Sequence, residues 1–511
     1  MQGASLTRRA ATRPLSFFAL ASTAVATPFL CAAVVADDGA TTVPDPAVPF
    51  AMAVSDKPRS SWFDGLDIGG YLKNETAFRI SEPRSITKIR NIVALDGTWD
   101  FSSRLRLGFS AWAYHDLAYE LFDYRTISAR FARDADQPLV FIDNLAEEKD
   151  SPVAAVRELY LDMYFDRFDL RVGRQFVIWG VLEGVRITDE INPMDFRELI
   201  LPDLLDYRIP LWSVKLDWYA EDGSDLQVLW IPDLRFHKPA PPGSEWELLQ
   251  RITDPEGNEV TSYPGRNFRN SEIGLRYSTR LLETDVSFSW FYTWDDFPVL
   301  FRSAAIESAE EPVFFPAYTR INIYGATAVR PLGDGVLKLE AAYVPDKYFG
   351  LRNDSDIDGD GFLDSQGVLQ RRHIRWGVGY EFQRWGIDFA PAITQWVILG
   401  HDERLIQDQL DTSLTLFLRK PIPEQSMVFQ LLAIALINME ELYLKPKLIL
   451  NVTDHFQIAA GLDLFFGEAS QFGISGGSSP VTGGNTIEQN AHFFGNFSGN
   501  DRIFAEFRYT F

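Results

Sequence analysis

The sequence predicts an all-β fold, a transmembrane antiparallel up-and-down β-barrel of about 18 strands, with 16 as the alternative. Three observations predict it. Apolar and polar residues alternate at every second position in segment after segment, which is the period of a strand with two unlike faces. Short polar turns alternate along the chain with long polar loops, as the two rims of an outer-membrane barrel require. No internal stretch of the 511 residues holds the roughly 18 apolar residues of a spanning helix, which excludes a helical membrane bundle.

The chain opens on a label. Arg8, Arg9 and Arg13 precede an apolar run, Leu15 to Ala36, that ends Val34-Val35-Ala36 before Asp37-Asp38. This reads as a secretory signal peptide over 1–36, cleaved after Ala36. Residues 37–62, with Pro44, Pro46, Pro49 and Pro58, read as a periplasmic extension, and 63–511 as the barrel. The only Cys, Cys31, falls in the leader, so the remainder has no disulfide, no thiolate nucleophile and no Cys-based metal site.

Alternation places the strands. Leu105, Leu107, Phe109, Ala111 and Ala113 oppose Arg104, Arg106, Ser110, Trp112 and Tyr114; Leu159, Leu161, Met163 and Phe165 oppose Glu158, Tyr160, Asp162 and Tyr164. The same pattern over the whole chain gives strand segments at 66–80, 86–99, 102–117, 154–166, 168–181, 210–221, 224–236, 270–282, 284–299, 317–331, 335–347, 369–384, 385–399, 409–420, 425–437, 440–452, 454–466 and 499–511. Sixteen remains the alternative because 409–420 and 425–437 are hard to separate. The last segment ends Phe507, Tyr509, Phe511 on one face, like the C-terminal signal that barrel-insertion machinery reads. Turns such as Glu221-Asp222-Gly223 and Gly333-Asp334-Gly335 mark a short periplasmic rim, and segments near 119–153, 182–209, 237–269, 300–316, 348–368 and 467–498 mark long extracellular loops. Trp62, Trp99, Trp179, Trp385 and Trp396 are expected in aromatic girdles at the membrane interfaces.

Lys and Arg number 48 against 71 Asp and Glu, a net charge of −23, so nucleic acid is not an expected partner. The polar face nevertheless carries Arg104, Arg106, Arg171, Arg276, Arg371 and Arg375, with Asp162, Glu272, Glu340 and Asp463 among its acids. A wall of mixed charge with a basic lean suits an anionic or amphipathic passenger, or else salt-bridge ladders that hold the wall.

The strand Phe168-Asp-Leu-Arg-Val-Gly-Arg-Gln-Phe-Val-Ile-Trp-Gly180, followed by Ile191-Asn-Pro-Met-Asp195, resembles a family of proteobacterial outer-membrane barrels of unassigned function. The pattern is Gly-Arg-Gln, Trp-Gly, then Asn-Pro and Asp. More distantly the strand is similar to that of the alginate-export porins. The resemblance implies transport of a lipid-like or hydrophobic compound across the outer membrane of a Gram-negative bacterium. Outer-membrane lipid, the insertion machinery at the Phe511 strand and, as an option, an inner-membrane transporter are the partners that go with it.

Several residues are candidates for the constriction. Arg174 is out of phase, sharing parity with the apolar Leu170 and Val172, and a bulge at Gly173 is expected to turn it inward. In the loop 182–209, Asn192 reads as a helix cap, Pro193 as the first helical residue and Asp195 as a first-turn acid, ahead of Phe196, Leu199, Ile200 and Leu201, with Pro202 as the stop. That loop helix either tucks into the lumen or caps the mouth. Residues 427–437 are apolar on both faces save Gln430, so one face must meet something dry, an inserted loop or the path of a hydrophobic cargo.

No cofactor is expected, except a calcium ion in an extracellular loop. Counted from Asp356, the run 356–367 places Asp356, Asp358, Asp360 and Asp364 at positions one, three, five and nine of an EF-hand-type loop, with Gly361 at six but Gly367 where a bidentate Glu belongs. None of the six His residues lies in a nucleophile or metal motif, and neither His-Glu-x-x-His nor Gly-x-Ser-x-Gly occurs. An enzyme is therefore not expected; a structural or adhesive barrel is the alternative to a channel.

Overall fold

Lipid offers backbone N–H and C=O groups no partner, so a chain of alternating strands has to close on itself. The computed structural model shows how it does so, describing residues 65–122, 153–182, 185–240, 244–246, 261–302, 314–352, 364–468, 472–475, 486–489 and 493–511. The leader and the extension expected at 1–36 and 37–62 lie outside them.

The first half of the wall is β1 (Leu66–Arg79), β2 (Ser85–Ser102), β3 (Leu105–Asp116), β4 (Val153–Tyr164), β5 (Phe168–Gln175), β6 (Leu211–Tyr219), β7 (Asp225–Ile231), β8 (Glu272–Leu281) and β9 (Thr284–Trp294). A loop hairpin, β10 (Val299–Arg302) with β11 (Phe314–Ala317), stands apart. The wall resumes with β12 (Arg320–Leu332), β13 (Gly335–Gly350), β14 (Val368–Arg384), β15 (Ile387–Leu399), β16 (Leu410–Ile422), β17 (Met427–Leu436), β18 (Glu441–Asn451) and β19 (Phe456–Phe466). After a second small hairpin, β20 (Phe472–Ser475) with β21 (Thr486–Gln489), β22 (Arg502–Thr510) completes it. Eighteen strands form one sheet in which chain neighbours pair antiparallel.

The sheet closes where β1 meets β22, from Tyr71 opposite Thr510 to Arg79 opposite Arg502. The final residue takes part: Gly70 and Phe511 exchange backbone hydrogen bonds of 3.1 and 3.0 Å. Gly70 has to lack a side chain, because a Cβ there would stand 2.3 Å from the Ala94 carbonyl and 2.9 Å from the Phe511 ring. The count is 18, and the two segments hardest to separate in the sequence are distinct strands, β16 and β17, split by the turn 423–426, which starts at Pro423 and ends with Ser426 at φ 52°.

Alternation sorts the side chains as expected. Ile68, Leu72, Val93, Leu95, Ile503 and Phe507 are exposed on the outside, while Lys73, Glu75, Asp162, Lys447 and Asp463 are buried inside. Two girdle expectations fail. Trp179 and Trp396, 2% and 6% exposed, point into the barrel, where Trp179 packs on Phe291 and Trp396 beside His373. Both are wide rings filling interior space that inserted loops leave. The hydrophobic core is accordingly inside the barrel, in two large clusters that each join inward strand residues to loop residues.

Candidate functional site in the lumen

Between β5 and β6 the chain leaves the wall, crosses the lumen and returns. Asn192 clips the two stems of this bar: its Oδ1 accepts from the Val177 backbone N–H at 2.8 Å and its Nδ2 donates to the Ile209 carbonyl at 2.9 Å. Asn192 is thus not a helix cap, and the helix expected from Pro193 does not form. Among the described residues of the loop only single turns appear, Phe196–Glu198, capped by Asp195, and Leu204–Tyr207 beyond Pro202. Eight residues between two prolines are too few for a stable helix. The flanking segments offer the backbone better partners: Phe196 N–H donates to Lys238 O at 2.7 Å, Lys238 N–H to Met194 O at 2.8 Å and Ile209 N–H to Pro193 O at 2.8 Å.

One end of the bar is anchored by an acid. Glu340 of β13 accepts from the backbone N–H groups of Val181, Leu182 (2.5 Å) and Thr188 (3.2 Å), and from the Thr188 hydroxyl (3.0 Å). Trp179 donates to Gln227 at 2.6 Å and stands so close to Gly274 that a Cβ there would come within 2.6 Å of the ring. Gly377 and Gly379 of β14 leave the space that Leu182 fills.

In the middle, Arg186 donates to the carbonyls of Asp189 (2.7 Å) and Asn192 (2.9 Å), and Arg208 pairs with Asp189 at 2.6 Å, all three side chains buried. Burial alone would raise the Asp189 carboxyl, but the Arg208 guanidinium outweighs it and holds it below the ordinary range. Arg375 of the wall reaches Glu190 at 2.5 Å. Met194, Phe196, Leu199, Ile200, Leu201 and Tyr207 then pack against the inward face of β17, with Leu432, Ile434 and Leu436, and against Phe493, Phe494 and Phe497. The doubly apolar strand therefore serves an inserted loop.

The other end is ionic. Glu198 sits between Lys88 (2.7 Å) and Arg90 (2.5 Å) of β2, and both cations also hold Glu75 of β1 at 2.6 Å. Burial would lift the Glu198 carboxyl, yet Arg90 and then Lys88 overcome it and depress it strongly. Lys445 donates to the Leu201 carbonyl at 2.7 Å. Arg157 enters the lumen through a register shift between β3 and β4, stacks 4.2 Å over Trp112 and donates to the Leu205 and Asp206 carbonyls. Directly after Glu198, Leu199 has φ 53° and ψ −128°, a region costing a non-glycine residue about 1–3 kcal/mol. Beside this end lies an open-mouthed pocket whose walls include Lys88, Arg90, Ile92, Trp112, Tyr114 and Arg197.

A family model described as a protein of unknown function, DUF1302, matches residues 87–510, nearly all of the wall and the whole bar. The chain belongs to the DUF1302 family. Among curated proteins none matches this DUF1302 chain. Among solved structures it is similar to Acinetobacter baumannii OccAB2, at 11% identity over 89% of this chain and 99% of that one, with a TM-score of 0.45. Pseudomonas aeruginosa OpdK with vanillate gives 8% identity, 88% and 100% coverage and a TM-score of 0.45; Salmonella typhi OmpF in complex with daunomycin gives 8%, 88% and 99%, and 0.36. Likeness this distant assigns the DUF1302 chain no activity.

The predicted constriction residues divide. Pro193, Asp195, Phe196 and Leu199 belong to the bar, with Asp195 engaged by Arg197 at 2.6 Å. Arg174 does not. The ladder runs through Gly173 without a shift, pairing Arg174 with Leu159 and Trp212 on the outer face, where Asp233 and Arg235 are its charged neighbours. Gly173 serves another need: at φ 143°, a Cβ would lie 2.2 Å from the Leu159 carbonyl. Of the basic residues, Arg106 (on Asp100, 2.6 Å), Arg171 (on Asp162, 2.6 Å), Arg276 and Arg375 face inward. Arg104 is a rim residue in the β2–β3 turn, 3.6 Å from Asp166, and Arg371 is tied at the opposite rim to the Gly400 carbonyl at 2.6 Å. Asp356, Asp358 and Asp360 lie outside the described residues, and Asp364 is in the turn before β14.

Proposed function

We propose that this DUF1302 chain is an outer-membrane channel that passes a lipid-like, hydrophobic or anionic compound. The observation that carries the reading is the bar itself. A closed barrel with an apolar exterior has its lumen spanned by the segment between β5 and β6, held by acids at both ends, with an open polar and aromatic pocket beside the ionic end. A purely structural barrel has no need of such a device. The leader would send the chain to the periplasm, and the Phe511 strand would be read by the insertion machinery of a Gram-negative bacterium. Outer-membrane lipid would surround the exposed apolar belt, with an inner-membrane transporter as a further partner. A calcium ion at Asp356, Asp358, Asp360 and Asp364 would stiffen an outward loop.

The test is conductance of the purified full-length protein in planar bilayers. Discrete steps are expected, larger or more frequent in a variant whose bar is released. Silence from both the wild type and Glu340→Ala would overturn the channel reading in favour of a structural or adhesive barrel.

A further inference from the structure

The geometry points to a binding site for the anionic head of an amphipathic, aromatic or otherwise apolar carboxylate at Lys88 and Arg90, a site that the side chain of Glu198 fills. The inference deepens the channel reading and rests on it for its biological sense, though binding can be measured without conductance.

The argument begins with charge. Around this point the wall contributes Lys73, Lys88, Arg90 and Lys447 against the carboxylates Glu75 and Glu506. Both wall acids are shared: Glu75 touches Lys73, Lys88 and Arg90, and Glu506 lies 3.0 Å from Lys447 and 3.8 Å from Lys73. The bar supplies the missing negative charge, with one Glu198 oxygen on Lys88 and the other on Arg90 and Asp203 standing 3.9 Å from Lys73. A carboxylate with one oxygen on each of two cations is the geometry in which such a group is recognised.

Three other acids of the pocket are occupied elsewhere, while the fourth, Asp206, also lines it. Asp116 accepts from the Ile89 backbone N–H at 2.8 Å, Asp195 holds Arg197, and Glu245 faces Arg79. Among the described residues Glu198 alone crosses from the inserted segment to the wall cations as a bidentate partner, and it does so on a strained backbone, with Leu199 at φ 53° next in line. If Glu198 withdraws, two fixed cations are left beside an open pocket lined by Ile92, Trp112 and Tyr114, with Arg90 already 5.1 Å over the Tyr114 ring. An entering ligand that offers a carboxylate and an apolar or aromatic body matches both halves. By replacing Glu198 it also unfastens that end of the bar, so binding and opening become one event.

The test uses full-length protein in detergent micelles and titration calorimetry with 1-naphthoate and its uncharged twin 1-naphthamide. Glu198→Gln, nearly the same shape without the charge, is expected to bind 1-naphthoate at least about tenfold more tightly than the wild type, because the competing carboxylate is gone. The gain should be absent for 1-naphthamide and lost when Arg90→Gln is added. Equal naphthoate affinity in Glu198→Gln and wild type overturns the site, as does an equal gain for the amide or a gain that survives Arg90→Gln. Glu198→Ala serves as the second variant should the glutamine protein not fold, with heat-modifiable gel mobility as the check on the barrel. The two readings part cleanly: naphthoate binding without conductance in any variant removes the channel and keeps the site, and conductance without the binding gain removes the site alone.

Discussion

Replacing Glu340 by Ala should release the bar from β13 while leaving the barrel closed. Glu340 is 3% exposed and takes three backbone N–H groups and one hydroxyl from residues 181–188. A buried donor stripped of its acceptor costs about 1–3 kcal/mol. Water and relaxation recover part of that for four neighbouring donors, so the whole anchor is worth about 3–5 kcal/mol. At about 1.4 kcal/mol per tenfold, the released form rises by roughly a hundredfold to a few thousandfold. Trypsin reads this directly. Arg186 and Arg208 are 2% and 1% exposed, hence shielded in the wild type, and a released bar offers both. The expected products begin at Ile187 and Ile209 and appear in the variant at protease levels that spare the wild type, alongside increased conductance. Identical digestion of the two proteins, with barrel mobility on gels unchanged, would refute the assignment of Glu340 as the anchor.

Four further outcomes can be checked. Gly173→Ala forces a Cβ to within 2.2 Å of the Leu159 carbonyl at a left-handed φ, and should cost about 2–4 kcal/mol, read as a lower urea midpoint for unfolding. Arg174→Leu should leave single-channel conductance as it was, since the side chain is on the outer face; a changed conductance would place it in the lumen. Glu198 is depressed in the folded state, so its contribution is complete above the ordinary carboxylate value and lost only as pH falls through the lower one. Conductance should therefore stay level from about pH 7 to about pH 5, and opening within that window would contradict the ion pairs. In the acidic loop, Asp358→Asn with Asp360→Asn should abolish calcium uptake by the full-length protein in calorimetry; a wild type that takes up none removes the calcium proposal.

The wall was legible because a strand in lipid leaves its sequence little freedom. Outward positions such as Leu72 and Ile503 must be apolar, and neighbours such as Lys73 and Arg502 must not face the lipid, so period two survives in most strands. The dry face of β17 was legible for the same reason, as a violation of that period. What sequence could not supply was contact between distant elements. Glu340 reads as one more inward acid, and nothing local shows that residues 181–188 arrive to meet it. Glu198 drew no reading of its own, because it lies in a loop 108 residues from the Arg90 it meets. Arg174 was misjudged because parity gives a face but not a depth, and an outward Arg near Asp233 is tolerable where one at the midplane is not. Asn192, followed by proline, has the local signature of a cap, but its side-chain amide was claimed by two stems the chain only later brings together.

The inserted segment is oily along β17 and salty at β2, and the two seams respond differently to solvent. Water and mobile ions can stand in for Glu198 on Lys88 and Arg90, but they have nothing to offer Leu199, Ile200 and Leu201 where these meet Leu432, Ile434 and Leu436. Any movement of the segment therefore swings like a door with its hinge on the greasy jamb and its bolt on the charged one. Traffic through the molecule would hug the side of β1 to β4.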